Sequence, residues 1–284
     1  MLYLIGLGLG DEKSITLKGL EIVKKCDKVF VENYTSILKN LDEMIPMLEK
    51  FFERSVEAAD RDTVESRAEL ILDGAKDRDV AVLIVGDPFC ATTHTDLFLR
   101  ARKKGINVSV IHNASIINAI GSTGLEVYRF GHVVSIVFFD EGWKPSSFYK
   151  RIKENKSRGL HTLCLLDIKT RERTIEAMMK GLDIFQPPRF MTVDVAASQL
   201  LELEETLKEE VCTSDTLAVA ACRVGTESQE FFTGTLGEIA KKSMGEPLHS
   251  LVIPGELEPL EAEMLSLWAS DEEVISRLKA LYEK

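Results

Sequence analysis

Short apolar runs alternate with stretches of helical periodicity over the first part of the chain. The apolar runs have the length of buried strands and lie at 2–7, 28–33, 80–85 and 106–111. Between them, apolar residues recur on one helical face over 14–25, 61–76 (with Asp60 as its cap) and 95–104. Strands that alternate with helices in this order predict a parallel or mostly parallel sheet that is covered by helices on its faces.

From about residue 113 the pattern changes, although strand and helix signals still alternate. A short helix is predicted over 113–121, and longer helices are predicted over 145–155, 171–180, 193–207 and 258–283. Strands are predicted over 133–139, 161–167, 216–225, 230–236 and 249–255. The predicted fold class is α/β, with an N-terminal α/β domain over 1–113 that contains a glycine-rich turn and a C-terminal α/β domain over 114–284.

Composition and charge narrow the class of protein. The 284 residues carry 35 basic and 46 acidic side chains, a net charge of −11 without any basic block, which disfavours a nucleic-acid partner. No apolar stretch approaches the roughly 20 residues of a transmembrane helix, and the N-terminus lacks the features of a signal peptide. Five cysteines without a CxxC pair and five histidines without HxxH or HExxH spacing argue against disulfides and a metal centre. We expect a cytoplasmic protein that binds neither a membrane nor a metal.

The glycine-rich turn at 6–10 follows the first strand and precedes a helix, where parallel sheets hold ligands against backbone. Gly6 and Gly8 match the first two glycines of the dinucleotide motif GxGxxG, but Asp11 stands in place of the third. Glu32, at the end of the second strand, has the position of the acidic residue that binds ribose. An NAD-dependent oxidoreductase is therefore one alternative, and a glycine turn without a ligand is another.

The segment VGDPFCATTHTDL, residues 85–97, brings polar side chains to the end of the third strand. Asp87 should lie near the glycine turn, because the carboxyl ends of parallel strands share one edge of the sheet. It can accept hydrogen bonds from a ligand, or it can form a turn or a helix cap. His94 fits a hydrogen-bonding turn better than a general base, and the next helix is expected to be capped by Thr95 or Asp96.

Five blocks of sequence span nearly the whole chain: MLYLIGLGLGDEKSITLKGLE, VGDPFCATTHTDL, VIHNASIINAIG, HTLCLLDIK and MGEPLHSLVIPG. Together and in this order they resemble the diphthine synthase family, which is part of the tetrapyrrole-methylase-like methyltransferases. The resemblance implies two α/β domains that clasp S-adenosylmethionine in the cleft between them, and a homodimer. It also implies a protein substrate, translation elongation factor 2, at a histidine that carries a 3-amino-3-carboxypropyl group.

The resemblance also assigns residues to the cofactor and its product S-adenosylhomocysteine. The positions that match the family's cofactor contacts are Leu9, Asp87, Cys90, Ser115, Ile116, Leu166, Val224 and His249. Relatives commonly have glycine where this chain has Cys90, and a cysteine forced to a positive φ would be strained. The contact at Cys90 is expected to be through its backbone, which a small cysteine in place of glycine preserves.

The implied reaction is a methyl transfer that depends chiefly on aligning donor and acceptor. No residue of the sequence is marked as a general base, and four transfers that end in a methyl ester are expected. Loops around 140–147 and 184–192 should receive the elongation factor, with exposed Trp143 and Phe185 at the rim or at the dimer interface. A methyltransferase that acts on a tetrapyrrole or another small molecule is the alternative within the same superfamily.

Overall fold

Two units make up the computed structural model, which describes residues 1–39, 41–170, 172, 179–182, 184–269 and 271–283. The first unit consists of Met1–Ala119, Ile168–Pro188 and Gly225–Glu227, and the second consists of Ile120–Asp167, Arg189–Val224 and Ser228–Lys284. Residues 114–119 and two later segments, which a cut after residue 113 assigns to the second domain, therefore cluster with the first unit.

The first unit contains a five-stranded parallel sheet, as the alternating pattern predicts. Its strands are β1 (Leu2–Gly6), β2 (Lys28–Glu32), β3 (Glu57–Ala59), β4 (Val80–Ile84) and β5 (Val108–Ile111). Their order is β3-β2-β4-β1-β5, and every neighbouring pair is parallel. Because β1 lies between β4 and β5, the carboxyl ends of these three strands meet at one edge of the sheet.

Helices bury both faces of this sheet. All five residues of β4 are buried, and alternate residues belong to two separate apolar clusters, since side chains alternate between the faces of a strand. The helices Glu69–Leu72 and Thr95–Lys103 contribute to one cluster, and Leu17–Val23 and Leu41–Phe52 contribute to the other. A sheet that is covered on both faces explains the continuous apolar run of β4.

One predicted helix of the first unit is divided. The stretch 61–76 consists of a π-helical turn, a short helix and a 3-10 turn, over Asp62–Ser66, Glu69–Leu72 and Gly74–Lys76. The prediction of one helix is wrong because Arg67 leaves the helical region of the backbone, with φ −114° and ψ 37°. Asp60 caps the start as predicted, since its Oδ1 accepts the Thr63 amide at 2.9 Å.

The helix Leu41–Phe52 has no counterpart in the sequence-based prediction. Its buried residues Met44, Leu48 and Phe52 recur at helical spacing, so it packs one apolar face against the sheet. Pro46 lies inside the helix, although proline ordinarily interrupts a helical interior. Packing of the apolar face therefore outweighs the local preference of the proline.

The second unit contains a five-stranded mixed sheet. The chain forms β6 (Val134–Ile136) and β7 (Thr162–Leu166), then the short β8 (Ile168–Lys169) in the first unit. The second unit continues with β9 (Arg189–Phe190), β10 (Leu217–Cys222), β11 (Glu230–Thr235) and β12 (His249–Ile253). The sheet has the order β11-β10-β12-β7-β6, in which β6 and β7 are parallel and the other neighbouring pairs are antiparallel.

The described helices of the second unit are Ser147–Lys156, Val193–Leu207, Leu236–Ile239, Pro259–Ser266 and Glu272–Tyr282. The prediction of a helix over 193–207 is confirmed. The single helix predicted over 258–283 is two helices, because Asp271 caps a new start by accepting the Glu273 amide at 2.8 Å. The helix predicted over 171–180 falls mostly outside the described residues, which omit 171 and 173–178.

A buried carboxylate connects three parts of the second unit. Glu261 is 1% exposed, and its Oε1 accepts the Glu126 amide at 2.9 Å and lies 3.0 Å from His161 Nε2. Its Oε2 accepts the Arg129 guanidinium at 2.8 Å. Burial opposes ionisation, but these partners outweigh it and hold the pKa of Glu261 below its usual range. Removing the carboxylate would leave the buried His161 ring and the Glu126 amide without their acceptor and would take one ion-pair partner from the partly buried Arg129.

We therefore expect Glu261→Ala to lower the free energy of unfolding by about 3–5 kcal/mol, the usual cost of breaking a buried ion pair. Urea denaturation measures this loss. Glu263→Ala on the same helix is the matched control, because Glu263 is exposed, and its effect should stay within about 0.5 kcal/mol. Equal, small effects of the two substitutions would contradict the importance of the buried network.

Candidate functional site

Three loops meet at the carboxyl edge of the parallel sheet in the first unit. They follow β1, β4 and β5 and contain residues 7–11, 85–91 and 112–115. The first two loops are joined directly, because the Gly8 amide donates to the Gly86 carbonyl (3.1 Å) and the Gly86 amide donates to the Gly8 carbonyl (2.8 Å). The expected proximity of the glycine turn and the segment after β4 is confirmed.

The glycines of the turn allow neighbouring backbone segments to approach closely. A Cβ atom at Gly6 would lie 2.5 Å from the Gly86 carbonyl oxygen, and one at Gly10 would lie 2.7 Å from the Gly225 carbonyl oxygen. Gly8 has a φ of +76°, which favours glycine. Packing within the first unit therefore accounts for these glycines by itself.

The carboxylate of Asp87 connects the loop after β4 to the loop after β5. The residue is 4% exposed, and its Oδ1 accepts the Phe89 amide at 2.9 Å. Its Oδ2 accepts the Asn113 amide at 3.1 Å and lies 2.8 Å from His112 Nδ1. Burial opposes ionisation, but these hydrogen bonds outweigh it and hold the pKa of Asp87 below its usual range. Asp87 is therefore an ionised carboxylate with partners on two loops.

His112 and Asn113 complete this edge, and the sequence analysis does not single them out. The Asn113 side-chain amide donates to the carbonyls of Gly6 (3.0 Å) and Ser14 (2.9 Å), which fixes the loop against the glycine turn. The His112 side chain is 68% exposed, and its ring lies 6.3 Å from that of Phe89. The sequence does contain a signal for them, because His112 and Asn113 are polar residues directly after an apolar strand. The same kind of position singles out Asp87.

The second unit contains the remaining three positions matched to the cofactor. Leu166 ends β7, Val224 follows β10, and His249 begins β12; all three are buried. Both ring nitrogens of His249 bond to backbone, since Nδ1 accepts the Val193 amide (3.3 Å) and Nε2 donates to the Glu246 carbonyl (2.8 Å). Burial lowers the pKa of His249. These bonds fix the ring and its tautomer within the second unit.

Comparison with known proteins identifies the family of this chain. Residues 1–240 match the model of the Tetrapyrrole (Corrin/Porphyrin) Methylases. The diphthine methyl ester synthase of Homo sapiens is 51% identical over 277 residues, which cover 96% of each chain. That of Schizosaccharomyces pombe is 50% identical over 283 residues, which cover 99% of each chain.

The chain belongs to the diphthine synthase family of tetrapyrrole methylases. A crystal structure of diphthine synthase has a TM-score of 0.81 at 32% identity and covers 98% of this chain and 99% of that chain. The predictions of the family, of the α/β tetrapyrrole-methylase fold and of a methyltransferase are thereby confirmed.

The alternative of an NAD-dependent oxidoreductase gains no support from the membership of the diphthine synthase family. The residues on which that alternative depends do not support it either. Asp11 caps the 3-10 turn Glu12–Ser14, since its Oδ1 accepts the Lys13 amide at 2.9 Å. Glu32 is fully buried and accepts the amides of Tyr34 and the following residue at 3.1 Å each. Burial raises the pKa of Glu32. Glu32 therefore lacks the exposure that a ribose ligand requires.

Four of the five first-unit positions matched to the family's cofactor contacts lie on the three loops of this edge, and the fifth, Ile116, begins the helix Ile116–Ala119 directly after the third loop. Leu9, Cys90 and Ile116 are half-buried, whereas Asp87 and Ser115 are buried. Cys90 does not have a positive φ; the positive values in this loop belong to Gly86 (+81°) and Ala91 (+61°), so the strain that a positive φ would cause at Cys90 does not arise.

His94 does not fit a general base. It is fully buried, and burial lowers its pKa to about 4. The helix Thr95–Lys103 begins directly after His94, which has the cap position without a side-chain hydrogen bond to the helix. The predicted cap at Thr95 or Asp96 is therefore wrong, since both residues lie inside the first turn.

The two aromatic residues that were expected at an exposed rim differ in their exposure to solvent. Trp143 of the second unit is 53% exposed, as predicted. Phe185 of the first unit is half-buried, so the prediction of its exposure is wrong. Within the ranges that the structure describes, no helix has the length and apolar character needed to cross a membrane.

Replacing Asp87 by alanine should lower the free energy of unfolding by at least about 1.5–3 kcal/mol, because two loops lose a charged acceptor. The pKa of Asp87 is lowered in the folded protein, so its contribution is fully present above the ordinary carboxyl value of about 3.9. The contribution is lost as the pH falls through the lowered folded value. Urea denaturation at neutral and acidic pH measures both effects.

The matched control for this substitution is Asp77→Ala, because Asp77 is an exposed aspartate of the same unit. Its effect should stay within about 0.5 kcal/mol at every pH. A loss at Asp87 that equals the control, or that does not shrink in acid, would contradict the ionised connection between the loops.

Proposed function

We propose that this chain transfers methyl groups from S-adenosylmethionine to the 3-amino-3-carboxypropyl-histidine of translation elongation factor 2, as a step of diphthamide biosynthesis. The observation that carries the proposal is the similarity to diphthine methyl ester synthases of mammals and fungi at about half identity, which extends over nearly the whole chain. Similarity confined to the cofactor-binding part would favour the tetrapyrrole alternative instead.

The proposed cofactor contacts are Leu9, Asp87, Cys90, Ser115, Ile116, Leu166, Val224 and His249. S-adenosylmethionine supplies a methyl group on a positively charged sulfonium. The half-buried side chains of Leu9, Cys90 and Ile116, at the same edge of the sheet as the ionised carboxylate of Asp87, support this assignment. They combine apolar surface with a nearby negative charge, which suits a ligand with an apolar ring and a positive centre.

Two further expectations belong to this proposal. A translation factor as substrate supports a cytoplasmic location and requires a surface that receives a protein. Trp143, which is 53% exposed near the Asp140–Trp143 turn, is suited to such a contact, since interfaces are enriched in aromatic residues. We also infer a symmetric homodimer from the resemblance to the family.

The acceptor groups support four transfers. The appended side chain offers one amine, which takes three methyl groups, and one carboxylate, which takes one as an ester. The curated relatives are diphthine methyl ester synthases, and this supports an ester as the final product. The amine and the carboxylate differ chemically, because an alkylammonium must lose a proton before it can attack, whereas an ionised carboxylate need not.

Incubation with S-adenosylmethionine should add four methyl groups to a peptide that contains the modified histidine of elongation factor 2. Mass spectrometry of the digested factor measures the product. Elongation factor 2 with an unmodified histidine is the control and should gain none.

A product that stops at three methyl groups would contradict the ester step. Transfer to a tetrapyrrole acceptor without transfer to the elongation factor would contradict the proposed substrate.

A further inference from the structure

An aspartate and a histidine form a hydrogen-bonded pair at the carboxyl edge of the first unit. Asp87 Oδ2 lies 2.8 Å from His112 Nδ1. An ionised carboxylate can only accept hydrogen bonds, so Nδ1 carries a proton, and in the neutral ring Nε2 then keeps its lone pair. Across the residues that the structure describes, Nε2 has no hydrogen-bond partner. The pair therefore joins a buried carboxylate to an exposed basic nitrogen.

Within the described part of the chain, the ring of His112 has one hydrogen bond, to Asp87, and its loop is fixed by the neighbouring residue. Its neighbour Asn113 donates a backbone amide to Asp87 and side-chain hydrogen bonds to two carbonyls. The ring of Phe89 makes an edge contact with the ring of His112, with an angle of 63° between the two ring planes. A histidine that served only to fill a turn would not need its tautomer fixed by a buried carboxylate. This arrangement is instead the usual one for a general base.

The proposed reaction needs a proton acceptor. Three of its four methyl transfers are to an amine whose conjugate acid titrates near 10, as alkylamines do, so the nitrogen lone pair is mostly protonated at neutral pH. The fourth transfer is to a carboxylate, which is already ionised. His112 lies three residues before Ser115 and is bonded to Asp87, two of the positions proposed to bind the cofactor.

We propose that His112 is the general base of the three N-methyl transfers and that Asp87 positions it; this inference rests on the proposed function. The N–H bond of the substrate ammonium breaks, and its proton forms the Nε2–H bond of His112. The freed nitrogen pair forms the new C–N bond while the C–S bond of the donor breaks, and that electron pair remains on sulfur. The imidazolium, stabilised by Asp87, releases its proton to water before the next transfer.

The substitution His112→Asn separates a base from a structural residue. The asparagine amide can take the place of Nδ1 as a donor to Asp87, but it cannot accept a proton. We expect N-methyl transfer to fall by roughly 100-fold or more. Methyl transfer to elongation factor 2 that already carries the trimethylated side chain should fall by no more than a few fold. His132→Asn, at an exposed histidine of the second unit, is the matched control and should change neither rate.

Two readouts do not depend on turnover. Calorimetric titration with S-adenosylhomocysteine should give an affinity for His112→Asn within about twofold of the unsubstituted protein. Nitrogen NMR of the imidazole should show the Nδ1–H tautomer of His112 in the neutral ring. With His112→Ala, added imidazole should restore part of the N-methyl transfer.

Full N-methyl transfer by His112→Asn, equal losses of N- and O-methyl transfer, or an Nε2–H tautomer would each overturn the inference. In each of these cases, methyl transfer by the unsubstituted protein in the same assay shows that the proposed function still holds and that only the role of His112 is wrong. If the unsubstituted protein transfers no methyl group to the elongation factor, the proposed function is overturned, and the inference falls with it.

Discussion

A buried, ionised carboxylate is the constraint on which the carboxyl edge of the first unit depends. Asp87 is almost completely removed from solvent, so its charge must be compensated by donors from the surrounding loops. The strand order supplies them, because β4 and β5 lie on either side of β1 and end at the same edge. The amides of Phe89 and Asn113 and the ring of His112 are therefore within reach of one side chain.

At the same edge, the glycines of the turn are required for close packing of the backbone, whether or not a ligand binds there. Gly6 and Gly10 allow carbonyl oxygens of other segments to approach where a Cβ atom would collide with them. The resulting contact holds the loop after β1 against its neighbours. Close packing thus explains the glycine-rich turn after β1. The turn lacks the third glycine of the dinucleotide motif, and the acidic residue Glu32 is not exposed.

Periodicity alone predicts the parallel sheet of the first unit, because alternating strands and helices leave few other topologies. It does not predict the antiparallel pairing of β12 with β7 and β10, since the partners are distant in sequence. Local signals also fail where packing opposes them: Pro46 lies inside a helix, and Arg67 divides another. These are the places where tertiary contacts outweigh local preference.

The site was partly accessible from the sequence. Asp87 directly follows a buried strand, and this position makes it a candidate from the sequence alone. Its partner His112 is 25 residues away, and the two come together only because β1 pairs in parallel with both β4 and β5. The resemblance to diphthine synthases is the basis for the proposed cofactor and for the residues proposed to contact it. The position of the cofactor-binding surface is the central claim that follows.

The most direct test of that claim is an NMR titration of the protein with S-adenosylhomocysteine. The account predicts that the amide signals of Leu9, Cys90 and Ile116 shift with the ligand, while NAD at the same concentration leaves them unchanged. Shifts with NAD, or S-adenosylhomocysteine shifts that omit these three residues, would contradict the account.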